Sequence, residues 1–348
     1  MRRLALVALL LAPAPAAAQG TADVAADATP VPMREWPVPW KDSRPRDPIA
    51  DGRGGVWFVG QAGNYVARLD TATGAMRRFA IDSGTHPHNV IVGPDGAAWY
   101  AGNRNGMVGR IDPATGRVTR FPTGDPRLKD PHTMQFGPDG DLWFTSQFGN
   151  AVGRLTPRTG RVRLVEIPTA EARPYGLVFD ARGRPWFDLF GTNAIGTVDP
   201  ATMRLRTYPL PAERARPRRI AVTSDGAVWY VDYTRGFLGR LDPRTGAVRE
   251  WANPGGAGAL PYAMAVDDRD RLWFVETGRQ PNRLVGFDPA TERVFSVTPV
   301  ASGGGTVRHM TFDRATGVIW FGTDVGTIGR AVVGRAPAGR APRAVSDE

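Results

Sequence analysis

The sequence predicts an all-β protein that folds as a seven-bladed β-propeller with four strands in each blade. Seven Trp residues, each followed by Phe or Tyr, recur at spacings of 42, 44, 43, 43, 44 and 47 residues. Repeats of about 40–45 residues are typical of four-stranded propeller blades. The seven residues are Trp57, Trp99, Trp143, Trp186, Trp229, Trp273 and Trp320.

The four strands of a blade can be assigned within the second repeat. Apolar or alternating segments at 88–92, 97–102, 107–112 and 117–122 are separated by turns rich in Gly, Pro, Asp and Asn. The alternation predicts strands, and turn residues of these types predict tight connections between them. The first strand is expected to be the innermost of the blade and the last strand the outermost.

The ring is expected to be closed by a strand from the N-terminal region. The seventh repeat, 310–333, supplies only three strands, whereas MREWPVP at 33–39 resembles VREWANP at 248–254, an outer strand. We therefore predict that 33–39 is the fourth strand of blade seven. This arrangement joins the first blade to the last and leaves no unpaired edge at the point of closure.

Both ends of the chain are predicted to lie outside the propeller, which spans 33–333. Residues 1–18 have the pattern of a secretory signal peptide, with Arg2 and Arg3, an apolar core at 4–11 and three Ala at 16–18. The leader 19–32 and the tail 334–348 are predicted to be disordered. The protein is expected in the periplasm or outside the cell, with no membrane span.

If the signal peptide is cleaved during export, the mature protein should begin near Gln19. Mass spectrometry of the protein recovered from its native host should find this shortened form. A full-length chain confined to the cytoplasm would contradict the signal-peptide assignment.

The composition excludes several kinds of site. The 348 residues include no Cys, so the chain has no disulfide, no thiolate metal site and no Cys nucleophile. The net charge is +10, and every basic residue except Lys41 and Lys129 is Arg. This excess reflects either coding bias or an affinity for anionic ligands. The arginines are spread along the whole chain, which argues against nucleic acid as a partner.

A distinctive set of side chains is predicted at the propeller axis. The residue that opens each inner strand lies 11 residues before the repeat Trp, or 12 in blade seven. We expect these residues to surround a solvent-filled mouth that binds a ligand. Alternatively, Arg218 and Tyr262 pair locally with the cross-strand neighbours Asp232 and Glu276. The opening residues are Arg46, His88, His132, Tyr175, Arg218, Tyr262 and Arg308.

The candidate site residues divide into catalytic and substrate-binding groups. His88 and His132 open adjacent inner strands, and Asp130 precedes His132 by two residues. An imidazole that is oriented by a carboxylate suits acid–base chemistry or metal binding. His86 is predicted to lie in a loop and His309 to pack away from the axis. The candidate substrate-binding residues are Arg46, Tyr175, Arg218, Tyr262, Glu276 and Arg308.

The repeats resemble those of the virginiamycin B lyase, or streptogramin lyase, family. The resemblance rests on segments such as LWFT at 142–145, GNAVGRL at 149–155 and RPYG at 173–176, and it covers 33–333. It implies a propeller enzyme that linearises a cyclic depsipeptide by breaking an ester C–O bond through elimination. It also implies Mg²⁺ as the cofactor.

The resemblance implies catalytic positions in blades six and seven. The His of the family in blade six corresponds to Tyr262, and its Glu-Pro-His in blade seven to Thr306, Val307 and Arg308. The later Glu corresponds to Asp324, which alone keeps a similar side chain.

A similar arrangement recurs in blades two and three. There His88 is followed by Asp130 and His132, with Gln147 at the later position. Because the blades are related by pseudo-symmetry, two locations for a site stay open, and we favour blades two and three. The cofactor is left open as well, since Mg²⁺ prefers oxygen ligands and two His would be unusual direct ligands.

The favoured function is metal-assisted elimination at an ester C–O bond of a cyclic depsipeptide or a related substrate. Two alternatives are a non-catalytic ligand-binding or sensor module and a lactone or ester hydrolase. The expected partner is a small molecule or a cyclic peptide. An anionic ligand would suit the many arginines. The protein is expected to be a monomer.

Overall fold

The computed structural model describes residues 18–334 and confirms the seven-bladed propeller with four-stranded blades. The predicted signal peptide, apart from Ala18, and the predicted tail, apart from Gly334, lie outside the described residues. Two strands precede the first blade, β1 (Ala18–Thr21) and β2 (Met33–Pro37). Within residues 18–334, no helix has both the length and the apolar character that a membrane span requires.

Blades one to three follow one another along the chain, each as an antiparallel sheet. Their strands are β3 (Pro45–Ala50), β4 (Gly55–Gly60), β5 (Tyr65–Asp70) and β6 (Met76–Ala80); β7 (Pro87–Val92), β8 (Ala98–Gly102), β9 (Met107–Ile111) and β10 (Val118–Pro122); and β11 (Pro131–Phe136), β12 (Leu142–Ser146), β13 (Ala151–Thr156) and β14 (Arg161–Glu166). A short 3₁₀ helix, Pro126–Leu128, connects the second and third blades.

Blades four to seven continue the same order. Their strands are β15 (Pro174–Phe179), β16 (Pro185–Leu189), β17 (Ala194–Val198) and β18 (Leu205–Pro209); β19 (Pro217–Val222), β20 (Val228–Asp232), β21 (Phe237–Leu241) and β22 (Val248–Ala252); β23 (Pro261–Val266), β24 (Leu272–Glu276), β25 (Arg283–Asp288) and β26 (Arg293–Pro299); and β27 (Val307–Asp313), β28 (Val318–Thr323) and β29 (Thr327–Val332). A second 3₁₀ helix, Gly256–Ala259, connects the fifth and sixth blades.

The predicted ring closure is confirmed. Strand β2 pairs antiparallel with β29 and supplies the outer strand of blade seven, with Met33 opposite Ala331 and Pro37 opposite Thr327. Trp36 is buried against Trp320, their ring centroids 5.6 Å apart. The first and last parts of the chain are therefore held together by both backbone pairing and aromatic packing.

The repeated aromatic pair explains the Gly that recurs on the third strand of the blades. The Trp is buried between neighbouring blades, as Trp143 is between blades three and four. The second aromatic ring covers the third strand, so a Cβ added to Gly153 would lie 2.2 Å from the Phe144 ring. A Cβ added to Gly239 would lie 2.1 Å from Tyr230. No side chain larger than hydrogen fits at these positions.

The leader is ordered in the structure, in contrast to the predicted disorder of 19–32. Strand β1 pairs in parallel with β22 as a fifth strand of blade five, and Ala22 is buried between blades five and six. Val24 forms a bridge with Val294 of blade six. The reason is that an outer blade strand leaves unpaired backbone groups. A segment with little hydrophobic patterning can hydrogen-bond to such an edge.

Every inner strand has a β-bulge near its start, and this feature positions the site. In β11, Pro131 pairs with Ser146, and the next paired residue, Met134, lies opposite Phe144. The strand therefore carries one more residue than its partner between these two pairs. Equivalent shifts occur in the other six blades.

Candidate functional site

The bulges allow two consecutive residues from the inner strands to meet at the axis. We call the predicted opening residues the first axial layer: Arg46, His88, His132, Tyr175, Arg218, Tyr262 and Arg308. The residues that follow them form the second axial layer: Asp47, Asn89, Thr133, Gly176, Arg219, Ala263 and His309. Side chains from different blades touch within each layer. Asn89, for example, donates a hydrogen bond from Nδ2 to Asp47 Oδ2 at 3.0 Å.

The two axial histidines are buried rather than exposed in a solvent-filled mouth. His88 is 3% and His132 2% exposed, and their rings are in contact, with centroids 3.5 Å apart and planes tilted by 34°. The ring of Tyr175 lies 4.1 Å from that of His132. The channel narrows here because seven large side chains converge on one axis. The predicted open mouth is therefore wrong at the level of the histidines.

Burial and positive charge keep both histidines neutral. Burial lowers the pKa of His88 well below its ordinary value, and Arg46 and His132 lower it further. Burial, followed by Arg219 and Arg46, lowers the pKa of His132 in the same way. At neutral pH both imidazoles are uncharged, so neither serves as a cation for an anionic ligand.

The sequence predicted that Asp130 orients the His132 imidazole, but the structure shows that it does not. Its Oδ1 accepts a hydrogen bond from Ser146 Oγ at 2.5 Å, and its Oδ2 accepts one from the backbone N–H of Phe148 at 2.7 Å. The Nδ1 atom of His132 instead lies 3.0 Å from Thr133 Oγ1. Asp130 directly precedes β11, which pairs with β12. It therefore lies beside the loop that follows β12 and accepts hydrogen bonds from backbone N–H groups that the strand pairing leaves free.

Glu276 likewise binds a neighbouring loop. The sequence predicted a substrate-binding role for it, but its carboxylate is already hydrogen-bonded to other residues of the protein. Its Oε1 accepts from the backbone N–H of Gly255 at 2.7 Å, and its Oε2 accepts from Arg283 Nε at 2.9 Å. Asp232 likewise accepts from Arg235 Nη1 at 3.0 Å. The local pairs predicted with Tyr262 and Arg218 are therefore not formed, and those two side chains face the axis.

Arg218 is held by aromatic rings on the mouth side of the axis. Its guanidinium carbon lies 3.9 Å from the ring centroid of Tyr262, 4.1 Å from that of Tyr233 and 4.5 Å from that of Phe190. Its Nε has no hydrogen-bond partner within residues 18–334. Tyr233 and Phe190 were missed from the sequence. Their position could have identified them, because each directly follows the second strand of its blade. Asp324 occupies the same position in blade seven.

Tyr175 and Tyr262 form a hydrogen-bonded pair in which the pKa of one hydroxyl group is raised and that of the other is lowered. Their hydroxyl groups are in direct hydrogen-bond contact. Burial raises the pKa of Tyr175 to about 12, with a further contribution from Tyr262. Burial also opposes ionisation of Tyr262, but Arg218, Arg46, Arg219 and Arg308 outweigh it and lower its pKa to about 8. Pairs whose acidities are driven apart in this way are typical of acid–base sites.

Arg308 and Asp324 form an ion pair at the more open side of the mouth. Arg308 Nη2 lies 2.6 Å from Asp324 Oδ2, and Arg44 Nε lies 3.5 Å from Asp324 Oδ1. Arg44 and Asp324 also border an open cavity of about 710 Å³, together with the exposed Val325. Two arginines therefore share one carboxylate, which leaves this edge of the mouth positively charged.

The donor set does not fit the Mg²⁺ ion that the family resemblance implies. Mg²⁺ requires several oxygen ligands in near-octahedral geometry. At the implied positions the only carboxylate is that of Asp324, which already pairs with Arg308, and the Tyr262 hydroxyl pairs with Tyr175. In the described part of the chain, no group of three or more His, Asp or Glu side chains is arranged to hold a metal ion.

The second axial layer contains charged residues that the sequence did not reveal. Arg219 is 2% exposed and donates from Nη1 to Thr133 Oγ1 at 3.0 Å and from Nε to the backbone oxygen of Arg308 at 3.1 Å. His309 borders the axial channel, so its predicted packing away from the axis is wrong. The bulge between Val307 and Met310 breaks the simple alternation on which that prediction depended.

Buried polar atoms without hydrogen-bond partners gather at this axis. Among residues 18–334, seven of the fourteen such atoms belong to the two axial layers, including Nη2 of Arg219 and Nδ1 of His309. Unpaired groups of this kind carry a cost of about 1–3 kcal/mol each. Their concentration in one place indicates a site at which a ligand or water supplies the missing partners.

Asp188 contributes a buried carboxyl group next to the second layer. Its Oδ1 accepts from the backbone N–H of Gly176 at 2.9 Å, and its side chain is fully buried. Burial raises the pKa of Asp188 to about 8, although Arg219 acts in the opposite direction. The carboxyl group is therefore mostly protonated in the folded protein at neutral pH.

The raised pKa predicts that this group makes the fold less stable as the pH rises. The unfolded chain releases the Asp188 proton near its ordinary value of 3.8, whereas the folded chain holds it up to about pH 8. The stabilising contribution is complete below pH 3.8 and is lost as the pH approaches 8, by at most about 1.4 kcal/mol per pH unit. Urea unfolding of wild type and Asp188→Asn from pH 5 to 8 should show the wild type losing stability relative to the variant. Parallel curves would show that the carboxyl group is already ionised.

Comparisons with known proteins agree with the fold and with the family resemblance. A sequence profile of the Virginiamycin B lyase family matches residues 31–331. The structure of virginiamycin B lyase from Staphylococcus aureus superposes with a TM-score of 0.78 at 22% identity, covering 87% of this chain and 99% of that one. No curated protein sequence matches this chain.

Two further solved structures show how widely the fold is shared. A catalytically inactive histidine-to-alanine variant of the S. aureus lyase, with quinupristin, superposes with a TM-score of 0.78 at 23% identity, covering 87% of this chain and 99% of that one. Hydrazine synthase of Kuenenia stuttgartiensis superposes with a TM-score of 0.69 at 14% identity, covering 84% of this chain and 96% of that one. At these identities the superpositions show the fold alone.

Proposed function

This chain belongs to the virginiamycin B lyase family, and on that premise we propose that it is a carbon–oxygen lyase that uses Tyr262 as its base. The observation that carries the proposal is the Tyr262 hydroxyl, hydrogen-bonded to Tyr175 and lowered in pKa by four arginines. Tyr262 stands at the position where the resemblance implies a catalytic His. Tyrosine therefore replaces histidine as the acid–base group.

The substrate is an ester that carries a carboxylate next to the carbon that loses its proton. Among the described residues, Arg218 supplies a guanidinium without a hydrogen-bond partner at Nε, and Arg44 and Arg308 share the carboxylate of Asp324. Guanidinium groups bind carboxylates through paired hydrogen bonds. Tyr262 is only 1% exposed, so the substrate carboxylate draws Arg218 and Arg308 off the ring as it binds.

Tyr262 is the base of the elimination. The Tyr262 phenolate removes the proton from the carbon next to the carboxylate, and that electron pair forms a C=C bond as the C–O bond of the ester breaks. The leaving group departs as a carboxylate, and Tyr262 then releases its proton to the solvent, which regenerates the phenolate. Positive charge from Arg218 and Arg308 stabilises the negative charge that develops on the substrate. No water is consumed.

His88 and His132 serve as positioning residues. They are neutral and buried, and His132 packs against the Tyr175 ring. This packing holds the Tyr175 hydroxyl in place. Because burial raises the Tyr175 pKa to about 12, that hydroxyl stays protonated and donates its hydrogen bond to the Tyr262 phenolate.

The products distinguish elimination from the alternatives. The purified protein is incubated in H₂¹⁸O with a set of β-acyloxy carboxylates, and with quinupristin as a comparator from the family. We expect an ultraviolet-absorbing unsaturated product and no ¹⁸O in either product. Incorporation of ¹⁸O would instead support an ester or lactone hydrolase.

A second candidate function is non-catalytic binding of a carboxylate ligand at Arg218. The burial of Tyr262, at 1% exposed, favours this candidate. The same incubation separates the two functions, because a binding module returns every ester unchanged while still showing saturable binding of the carboxylates by calorimetry. That result would overturn the proposed lyase.

The pH dependence of the rate tests which residue is the base. If the Tyr262 phenolate is the active form, kcat/KM should rise about tenfold per pH unit below pH 8 and level off above it, since kcat/KM reports groups of the free enzyme. A neutral histidine base, with its pKa well below 6.5, would give a constant rate from pH 7 to 9. Initial rates in buffers of constant ionic strength decide between the two.

A further inference from the structure

A second cavity lies in the axial channel, beyond the candidate site. It has a volume of about 370 Å³, and its lining begins with the second axial layer and continues toward the opposite end of the inner strands. No first-layer residue lines it. The volume falls within the range of about 300–1,000 Å³ that is typical of small-molecule sites. The cavity is thus a separate space from the mouth.

The walls of this cavity are mainly apolar, and Arg314 lies at its outer end. Each inner strand contributes the residue that lies opposite the repeat Trp. Two members of this ring are polar, Gln135 and Thr311, and the other five are Ile49, Ile91, Val178, Ala221 and Ala265. Apolar walls of this kind accommodate a hydrocarbon group, because removing its CH₂ groups from water is favourable. The cavity therefore suits the tail of an amphipathic molecule.

The inner end of the cavity is polar, and its positive charge comes from Arg219, because burial lowers the pKa of His309 to about 4. Arg219 and His309 border it, and Arg219 Nη2 and His309 Nδ1 lack hydrogen-bond partners within residues 18–334. The nearest carboxylate oxygen to Arg219 Nη2 is that of Asp47, at 4.0 Å, which is beyond hydrogen-bond distance. Arg219 is 2% exposed, so an anion that reached it would be shielded from water.

The local charge balance also favours an anion. Arg46 and Arg219 are both buried, while Asp47 is the buried carboxylate that lies beside them. Burial raises the pKa of Asp188 to about 8, so its carboxyl group adds little negative charge at neutral pH. One positive charge is left without a counterion, and a buried charge of this kind is costly unless it is paired.

We propose that this far axial cavity binds a monocarboxylate with an unbranched apolar tail, with its carboxylate at Arg219 and His309 and its tail along the apolar walls. One buried guanidinium at the inner end of a mainly apolar pocket matches one carboxylate better than a multiply charged phosphate, and the other arginine of the lining, Arg314, is exposed at the opposite end. The contacting rings of His88 and His132 and the Tyr175–Tyr262 pair separate this site from the mouth. It does not depend on the proposed lyase activity.

Isothermal titration calorimetry with sodium octanoate tests the proposal. Wild-type protein should bind one octanoate, and octylamine, which has the same tail and the opposite charge, should bind at least about tenfold more weakly. Arg219→Met should weaken octanoate binding by about tenfold or more. Equal affinity for octanoate and octylamine would overturn the proposal.

Two further variants locate the bound octanoate, including the case in which Arg219→Met does not fold. Ala265→Phe fills the tail pocket and keeps every charge, so it should abolish octanoate binding. Arg308→Ala alters only the side chain at the mouth and should leave the affinity for octanoate unchanged. Unchanged affinity in Ala265→Phe, or loss of affinity in Arg308→Ala, would place octanoate elsewhere and contradict the proposal.

Discussion

Replacing Tyr262 with Phe is expected to lower kcat/KM for elimination by about 10²- to 10⁴-fold, the usual scale for the loss of a general acid or base. The substitution removes the hydroxyl group and leaves the ring that packs under Arg218. Substrate binding through Arg218 and Arg308 should persist, so most of the loss should appear in kcat rather than in KM. Steady-state kinetics with the unsaturated product as readout measures the effect.

A matched substitution away from the axis provides the control. Tyr208 in blade four is also buried, and its hydroxyl group donates a hydrogen bond to the backbone oxygen of Pro243 at 3.2 Å. Tyr208→Phe removes the same atom at the outer edge of a blade and should leave kcat/KM unchanged. If Tyr262→Phe retained the wild-type rate while His132→Ala abolished it, the base would be His132, as the sequence first suggested.

A second large effect is expected from removal of the closing strand. A chain that starts at Lys41 lacks β2, so blade seven loses its outer strand and β29 becomes an exposed edge. It also loses the Trp36 side chain, which packs on Trp320, and truncation of one such buried Trp alone costs about 3–5 kcal/mol. Because domains of this kind are stable by only about 5–15 kcal/mol, we expect aggregation or loss of cooperative melting.

A shorter truncation separates closure from the general effect of removing residues. A chain that starts at Asp27 lacks β1, but blade five keeps its own four strands. Its melting temperature should fall much less than that of the chain starting at Lys41. Differential scanning calorimetry compares the two, and a chain from Lys41 that melts like wild type would show that the ring does not need β2.

Much of the fold was predictable because propeller repeats carry local signals. The Trp spacing identified the seven blades, and the likeness of 33–39 to 248–254 identified the closing strand. The leader was mispredicted, since β1 is held mainly by backbone pairing to β22, and composition does not report such pairing.

The sequence identified which residues open the inner strands, but it did not show which contacts their side chains make. The spacing before each Trp identified all seven residues of the first axial layer, because that position depends only on strand length. It could not show whether Asp130 reaches His132 or Ser146, or whether Glu276 reaches Tyr262 or Arg283, since each carboxylate had two polar groups within reach.

The sequence by itself determined the number of blades, the closing strand and the identity of the residues that open the inner strands. The tertiary structure alone decided that residues from opposite blades form one buried cluster, so that blades two and three share a site with blades six and seven. It also decided that Arg219 and His309 reach the axis. The physical reason is that these contacts depend on the radius of the closed ring and on bulges in strand pairing, which bring together residues as far apart in the chain as Arg219 and Thr133. Distances of that kind follow from closure of the whole propeller and are encoded in no single repeat.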